Sequence, residues 1–265
     1  MKKALAGILA CVLIIFLALV FQREFYEVPI LMYHRVGIPG GASDVTVRPE
    51  FFDRQMEFLN VHRYHVMPLE ELIRALKAGR RLPPKTVVIT FDDGSADNIR
   101  FAFPVLRKMG FPATIFMITE NIDRPGGWLS GEDLKIMDEN GISIGSHTQT
   151  HAFLPELPIS RAEEELVGSK KKLQDLLGHD VTLFSYPAGG VTPQIQALVE
   201  KAGYVGAVTT NYGKKRHDPY ALHRIKVGDS SGNLFNFLVK TSGFYSLGKK
   251  RVAYQASEHA AYADS

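Results

Sequence analysis

The feature that most limits the fold is a series of short apolar segments, separated by helical patterns, that begins at Val28 and runs through most of the chain. Segments at 29–33, 86–91, 113–118, 142–146, 183–186, 205–209 and 222–227 are rich in β-formers and mostly continuous in apolar character. That is the pattern of strands buried on both faces. Between them, apolar residues recur at three- and four-residue steps, as Phe51, Phe52, Met56 and Leu59 do within 49–60. Similar helical stretches cover 69–78, 96–109, 131–140, 160–177 and 193–202. Gly110, Gly141, Gly178 and Gly203 stand where helix ends favour a left-handed residue, and Thr192 precedes Pro193 as a helix cap does. Such alternation builds a parallel sheet with right-handed crossovers. The result is either a doubly wound sheet or a closed barrel. No glycine-rich phosphate loop follows the first strand, which favours an irregular α/β barrel.

Composition narrows the function. With 265 residues, 45% hydrophobic and 22% charged, the chain is no disordered tail and fits one large domain. A net charge of +3 is too small for the dense basic stripe of a nucleic-acid binder, so no nucleic-acid partner is expected. The one cysteine, Cys11, excludes a disulfide framework and any cysteine-based zinc cluster. A metal would need histidine and carboxylate ligands.

The amino terminus reads as a membrane segment. Met1-Lys2-Lys3 precedes an uncharged apolar run over 4–21, close to the roughly 17–25 residues that span a bilayer, and charge returns at Arg23 and Glu24. The leading lysines place this end in the cytoplasm and the rest of the chain outside. No small-residue cleavage site follows Phe21, so an uncleaved anchor over 1–24 is expected, with cleavage and secretion as the alternative. A catalytic domain over 25–243 and a polar, loosely held tail over 244–265 complete the expected organisation.

Reactive groups of parallel α/β folds collect at the carboxyl ends of strands. Thr90-Phe91-Asp92-Asp93-Gly94 ends one apolar strand with two carboxylates, more than a helix cap requires. One of the pair can coordinate a cation while the other acts as a base. Ser146-His147-Thr148-Gln149-Thr150-His151 ends another strand. A helical turn there would put both imidazoles on one face at metal-binding separation, the alternative being two exposed loop histidines. With Asp93, the pair makes a His₂Asp ligand set with open positions, the pattern of a catalytic site. Ser185-Tyr186-Pro187-Ala188-Gly189-Gly190 runs from a strand into a tight loop whose backbone N–H groups, that of Ala188 among them, can face the site. His34 ends the first strand, and Arg224, inside a late one, needs a carboxylate partner, for which Asp92 is the expected choice. Tyr186, Trp128 and Tyr212 are candidate sugar contacts, and Lys214, Lys215 and Arg216 form a basic loop.

Together these residues resemble the polysaccharide deacetylase family, esterases related to the nodulation chitooligosaccharide deacetylase. Thr90-Phe91-Asp92-Asp93-Gly94 matches its first motif, Ser146 to His151 its second, and Ser185-Tyr186-Pro187-Ala188-Gly189 is similar to its third. The resemblance implies a distorted (β/α)₇ barrel, a divalent metal on Asp93, His147 and His151, and Asp92 as general base. Zinc is the expected metal, with cobalt, nickel or manganese as alternatives. Two departures stand out: Ser185 replaces the arginine usual in many members, and Ala188 replaces an aromatic residue. The Leu-x-His motif expected late in the standard order is represented only faintly, by Leu222-His223. Leu31-Met32-Tyr33-His34-Arg35-Val36 instead resembles the circularly permuted branch that includes poly-N-acetylglucosamine deacetylases. In that branch His34 takes the role of catalytic acid. Arg224 lies in a stretch similar to that branch's Leu-Pro-Arg-Ile, with His223 in place of the proline. The implied activity is hydrolysis of N-acetyl groups on an extracytoplasmic N-acetylglucosamine polymer. An O-acetyl esterase on a glycan and a tethered glycan-binding pseudoenzyme are the competing readings.

Overall fold

The computed structural model describes residues 25–37, 45–210 and 217–249. Its strands are β1 (Ile30–Tyr33), β2 (Arg35–Val36), β3 (Thr46–Val47), β4 (His65–Val66), β5 (Thr86–Phe91), β6 (Ala113–Met117), β7 (Ile142–Ser146), β8 (Leu183–Ser185), β9 (Gly206–Thr209), β10 (Leu222–His223) and β11 (Ile225–Lys226). The helices are α1 (Pro49–Val61), α2 (Leu69–Lys77), α3 (Phe103–Met109), α4 (Gly131–Glu139), α5 (Ile159–Leu177), α6 (Pro193–Lys201) and α7 (Leu234–Thr241). The main sheet is parallel, in the order β10-β9-β8-β7-β6-β5-β1-β11, with β4 also paired to β5. Its two ends, β10 and β11, are consecutive in the chain with only Arg224 between them. The sheet therefore curls into a nearly closed barrel whose seam is that one arginine, a distorted (β/α)₇ architecture.

The single strand expected over 222–227 is in fact these two pieces. At the break the Arg224 N–H bonds to the Thr209 carbonyl on one side, while the Val227 N–H bonds to the Met32 carbonyl on the other. One peptide group cannot serve two divergent neighbours, so the strand splits where the barrel closes.

Alternation along the strands sorts two apolar layers. Leu31 and Tyr33 of β1, with Val87, Ile89 and Phe91 of β5, face the surrounding helices. Ile30, Val88, Phe116, Leu183, Val208 and Leu222 form the interior, joined by Leu69, Leu72 and Ile73 of α2. Helix α2 thus plugs the amino-terminal end of the barrel and leaves the carboxyl end open. Gly110, Gly141, Gly178 and Gly203 all take positive φ at helix ends. Thr192 caps α6 as expected, its hydroxyl accepting from the Ile195 N–H.

The stretch 96–109 is less regular than its pattern implies, since α3 is preceded by a π-type turn, Asn98–Ala102. Pro104 has no N–H for the carbonyl four residues back, which favours a wider turn there. Helix α7, capped by the Asn233 side chain on the Phe235 N–H, was not anticipated. Among the described residues no helix is long and apolar enough to cross a membrane. The expected anchor over 1–24 lies outside the described residues, as do Tyr212, Lys214, Lys215, Arg216 and the tail beyond Lys249.

Candidate active site

The turn after β5 sends two adjacent carboxylates to different places. Asp93 sits at φ 72° and Gly94 at φ 85°, and a Cβ on Gly94 would lie 2.0 Å from the Met117 sulfur. Only glycine fits the second position. Asp92 is buried and clasped by Arg224, with Nη1 donating to Oδ1 at 2.6 Å and Nη2 to Oδ2 at 2.5 Å. Arg224 is itself buried. It also donates to Thr90 Oγ1 and Ser185 Oγ and lies 5.5 Å from the centroid of the Phe116 ring. Burial opposes ionisation of Asp92, but the charge and hydrogen bonds of Arg224 outweigh it and hold the carboxyl well below the usual range. The Ser185 departure becomes intelligible here: the guanidinium beside Asp92 comes from Arg224, and the serine hydroxyl supports it.

His147 and His151 do not share a helical turn. Ser146 ends β7, and the next residues form a loop in which Thr148 and His151 take left-handed φ values of 66° and 63°. The loop still brings the rings together, with centroids 4.8 Å apart. His147 Nε2 lies 3.6 Å and His151 Nε2 3.7 Å from Asp93 Oδ1, and all three ligand atoms fall within 4.8 Å of one another. Ligands on a tetrahedral ion with bonds of ~2.0–2.1 Å stand about 3.3 Å apart, so the two separations from Asp93 are close to those around a small cation. Nδ1 of His147 is 2.8 Å from the Ser185 carbonyl; as donor there, it leaves Nε2 with a free lone pair facing Asp93. Burial lowers the His147 pKa to about 3 and also lowers that of His151, so both rings are neutral at pH 7. Burial, and the neighbouring Asp92, push Asp93 up. Asp93 Oδ1 is buried with no hydrogen-bond partner among the described residues. Two neutral imidazoles around an orphaned carboxylate oxygen suit a divalent ion.

The sequence offered no sign of what holds the ligand loop. Glu165 of α5 is buried, and its carboxylate accepts from the backbone N–H groups of Gln149 and Thr150 at 2.8 and 3.0 Å and from the Thr150 hydroxyl at 2.9 Å. Glu165→Ala removes the carboxylate that holds the partly exposed Gln149 and Thr150 donors, so a loss of about 1–2 kcal/mol in stability is expected, with weaker binding of added zinc. Thermal unfolding and metal content measured together would check this; unchanged values in both would contradict it.

These groups open onto a cavity of about 400 Å³ at the carboxyl end of the barrel. His34, Asp92, Asp93, His147, His151, Tyr186, Ala188 and Arg224 all line it. His34 directly follows β1, and its buried Nδ1 has no partner among the described residues. Ala188 takes φ 49° and ψ 20° in the turn after β8, and its N–H makes no hydrogen bond among the described residues. Tyr186 is a buried wall residue whose hydroxyl donates to the Tyr220 carbonyl, leaving mainly ring surface to the cavity. Trp128 does not line the cavity. It pairs with Ser95 in an isolated bridge, next to Leu129, whose N–H bonds to the Gly94 carbonyl. Its segment braces the turn that carries Asp93. The cavity also takes His223, Lys226, Tyr245 and Lys249, the last two from beyond the expected domain end. That segment is tied down by the Glu27 N–H on the Gly243 carbonyl and by the edge-on contact of Tyr26 with Phe244. The signal was present in the aromatic pair Phe244-Tyr245, set just before the basic run.

A parallel, nearly closed α/β barrel with an Asp-His-His set at its strand ends is what this chain presents. Residues 79–207 match the polysaccharide deacetylase family. YxkH of Bacillus subtilis, assigned to the polysaccharide deacetylases, is 35% identical over 218 residues, covering 81% of this chain and 77% of that protein. The poly-β-1,6-N-acetyl-D-glucosamine N-deacetylase of Staphylococcus epidermidis is 32% identical over 239 residues, covering 79% of this chain and 81% of the relative. The deacetylase PplD of Streptococcus pyogenes, solved with acetate, superimposes with a TM-score of 0.73 at 27% identity over 79% of this chain and 97% of that one. The chain belongs to the polysaccharide deacetylase family.

Proposed function

We propose that the protein is a metal-dependent deacetylase that removes N-acetyl groups from an N-acetylglucosamine polymer outside the cytoplasm and releases acetate. The observation that carries this reading is the convergence of Asp93, His147 and His151 beside an Arg224-held Asp92 in one cavity. The relative from Staphylococcus epidermidis supports the choice of glycan. A divalent ion, zinc by preference, would be held by the three ligands and would supply polarisation of the acetyl carbonyl and acidification of a nearby water.

The chain's own residues do the rest. Asp92 takes the proton of the attacking water, and Arg224 keeps that carboxylate ionised and aimed. Water oxygen bonds to the acetyl carbon, and the Ala188 N–H donates to the oxygen that gains charge. As the carbon–nitrogen bond breaks, His34 in its protonated form donates to the departing sugar nitrogen, which leaves as an amine. Tyr186 and Tyr245 offer ring surface to the sugar. The apolar run over 4–21 supports anchoring, with the catalytic domain on the far side of the membrane.

Acetate release across N-acetylated and O-acetylated oligosaccharides tests the reading. Release from N-acetylglucosamine oligomers is expected. Release from O-acetylated glycans alone would make the protein an esterase, and no release from any would make it a binding protein. Tyr245→Ala is expected to raise KM for an oligomer about tenfold with kcat little changed, the loss of one stacking surface. An unchanged KM would remove Tyr245 from the substrate path.

A further inference from the structure

Helix α7 is seated on the domain by one side only. Phe237 is fully buried and meets Phe58 edge-on, and Thr241 is buried beside it in sequence register. Phe235, Leu238 and Val239, at the i, i+3, i+4 spacing of one face, point outward with exposures of 68%, 43% and 42%. Single exposed apolar residues are ordinary. Here Leu247 and Phe25 are exposed as well, and more than half of the exposed large apolar side chains among the described residues belong to this group. Three apolar side chains on one face of a helix, with two more exposed on segments that meet just past its end, mark a contact with something else.

The chain itself indicates what that contact is. Phe25 follows directly on the segment that carries the apolar run over 4–21. The next residues, Tyr26 and Glu27, are fastened to Phe244 and Gly243, just past the end of α7. The chain therefore enters the described domain at the carboxyl end of α7, the helix that carries the apolar face. Charge agrees with a lipid surface: Lys249-Lys250-Arg251 follow Leu247, and no Asp or Glu occurs between Asp229 and Glu258. An apolar helix face followed in the sequence by a run of cations is the pattern of an interfacial segment on anionic lipid.

We propose that the Phe235, Leu238 and Val239 face of α7 lies on the membrane surface beside the anchor. The segment leaving α7 supplies Tyr245 and Lys249 to the cavity wall, so this seating holds the cavity close to the bilayer and directs the enzyme to membrane-proximal glycan. The inference rests on the anchored reading of the amino terminus.

The test is nitroxide accessibility on the full chain, reconstituted in vesicles of phosphatidylethanolamine and phosphatidylglycerol. A label on native Cys11 reports the anchor. Cys11→Ser with Leu238→Cys reports the helix face, and Cys11→Ser with Lys171→Cys, exposed on α5, is the aqueous control. The expected result is a label at 238 that is several-fold less open to a water-soluble nickel relaxant than the label at 171, and more open to oxygen. A label at 238 as open to nickel as that at 171, with Cys11 in the bilayer, overturns the seating and leaves the anchor intact. A label at 238 shielded from both reagents overturns it in favour of a protein cover, either a second copy or the folded-back segment 1–24. A water-exposed Cys11 would instead sink the anchored reading.

Discussion

Arg224→Ala is expected to lower stability by about 3–5 kcal/mol, because it leaves the Asp92 carboxylate buried and unpaired. For a domain of this size that is roughly a 10 °C fall in Tm. The pH dependence has a definite sign. In the native protein the Asp92 pKa is depressed, so its contribution is present above the ordinary carboxylate pKa and fades as pH falls below it. In the variant, protonation relieves the stranded charge. The gap in stability between the two proteins should therefore narrow as pH falls through about 4. Removing both partners, as in Asp92→Asn with Arg224→Met, is expected to recover much of the lost stability and none of the activity. A single variant as stable as the parent at neutral pH would mean that the pair does not hold the barrel seam.

The second large effect concerns the ligand set. His147→Ala removes one of the three proposed metal ligands together with the bond to the Ser185 carbonyl. Acetate release is expected to fall at least about 10³-fold, since a bound metal contributes several kcal/mol to the transition state. Asp92→Asn provides the contrast, with comparable loss of turnover while metal stays bound. Metal content and acetate release measured on both variants separate ligand from base. Retention of a full metal equivalent by His147→Ala would remove that residue from the ligand set.

The legibility of this chain follows from how local each feature is. Strands β5 and β7 were readable to the residue because β-rich runs end there at charged or imidazole side chains. The split at Arg224 was not, since it comes from barrel closure and depends on neighbours far away in sequence. The partnership of Arg224 with Asp92 was legible because a buried guanidinium needs a carboxylate, and few were placed to provide it. The approach of His147 to His151 was also legible, although its cause was not. A left-handed loop held by Glu165 achieves what a helical turn would have done, and no pattern in the sequence announces that support. The outer wall of the cavity was least readable. Trp128 had the right chemistry but braces a turn, whereas Tyr245 reaches the cavity only because the chain after α7 folds back across the barrel mouth.

The most direct test of the account is metal titration of the full chain, stripped by a chelator, with acetate release from an N-acetylglucosamine oligomer as the readout. The account predicts that activity disappears on stripping and returns with added zinc, saturating at one equivalent per chain, and that His147→Ala does not recover. Undiminished acetate release from protein shown to be free of metal would contradict it.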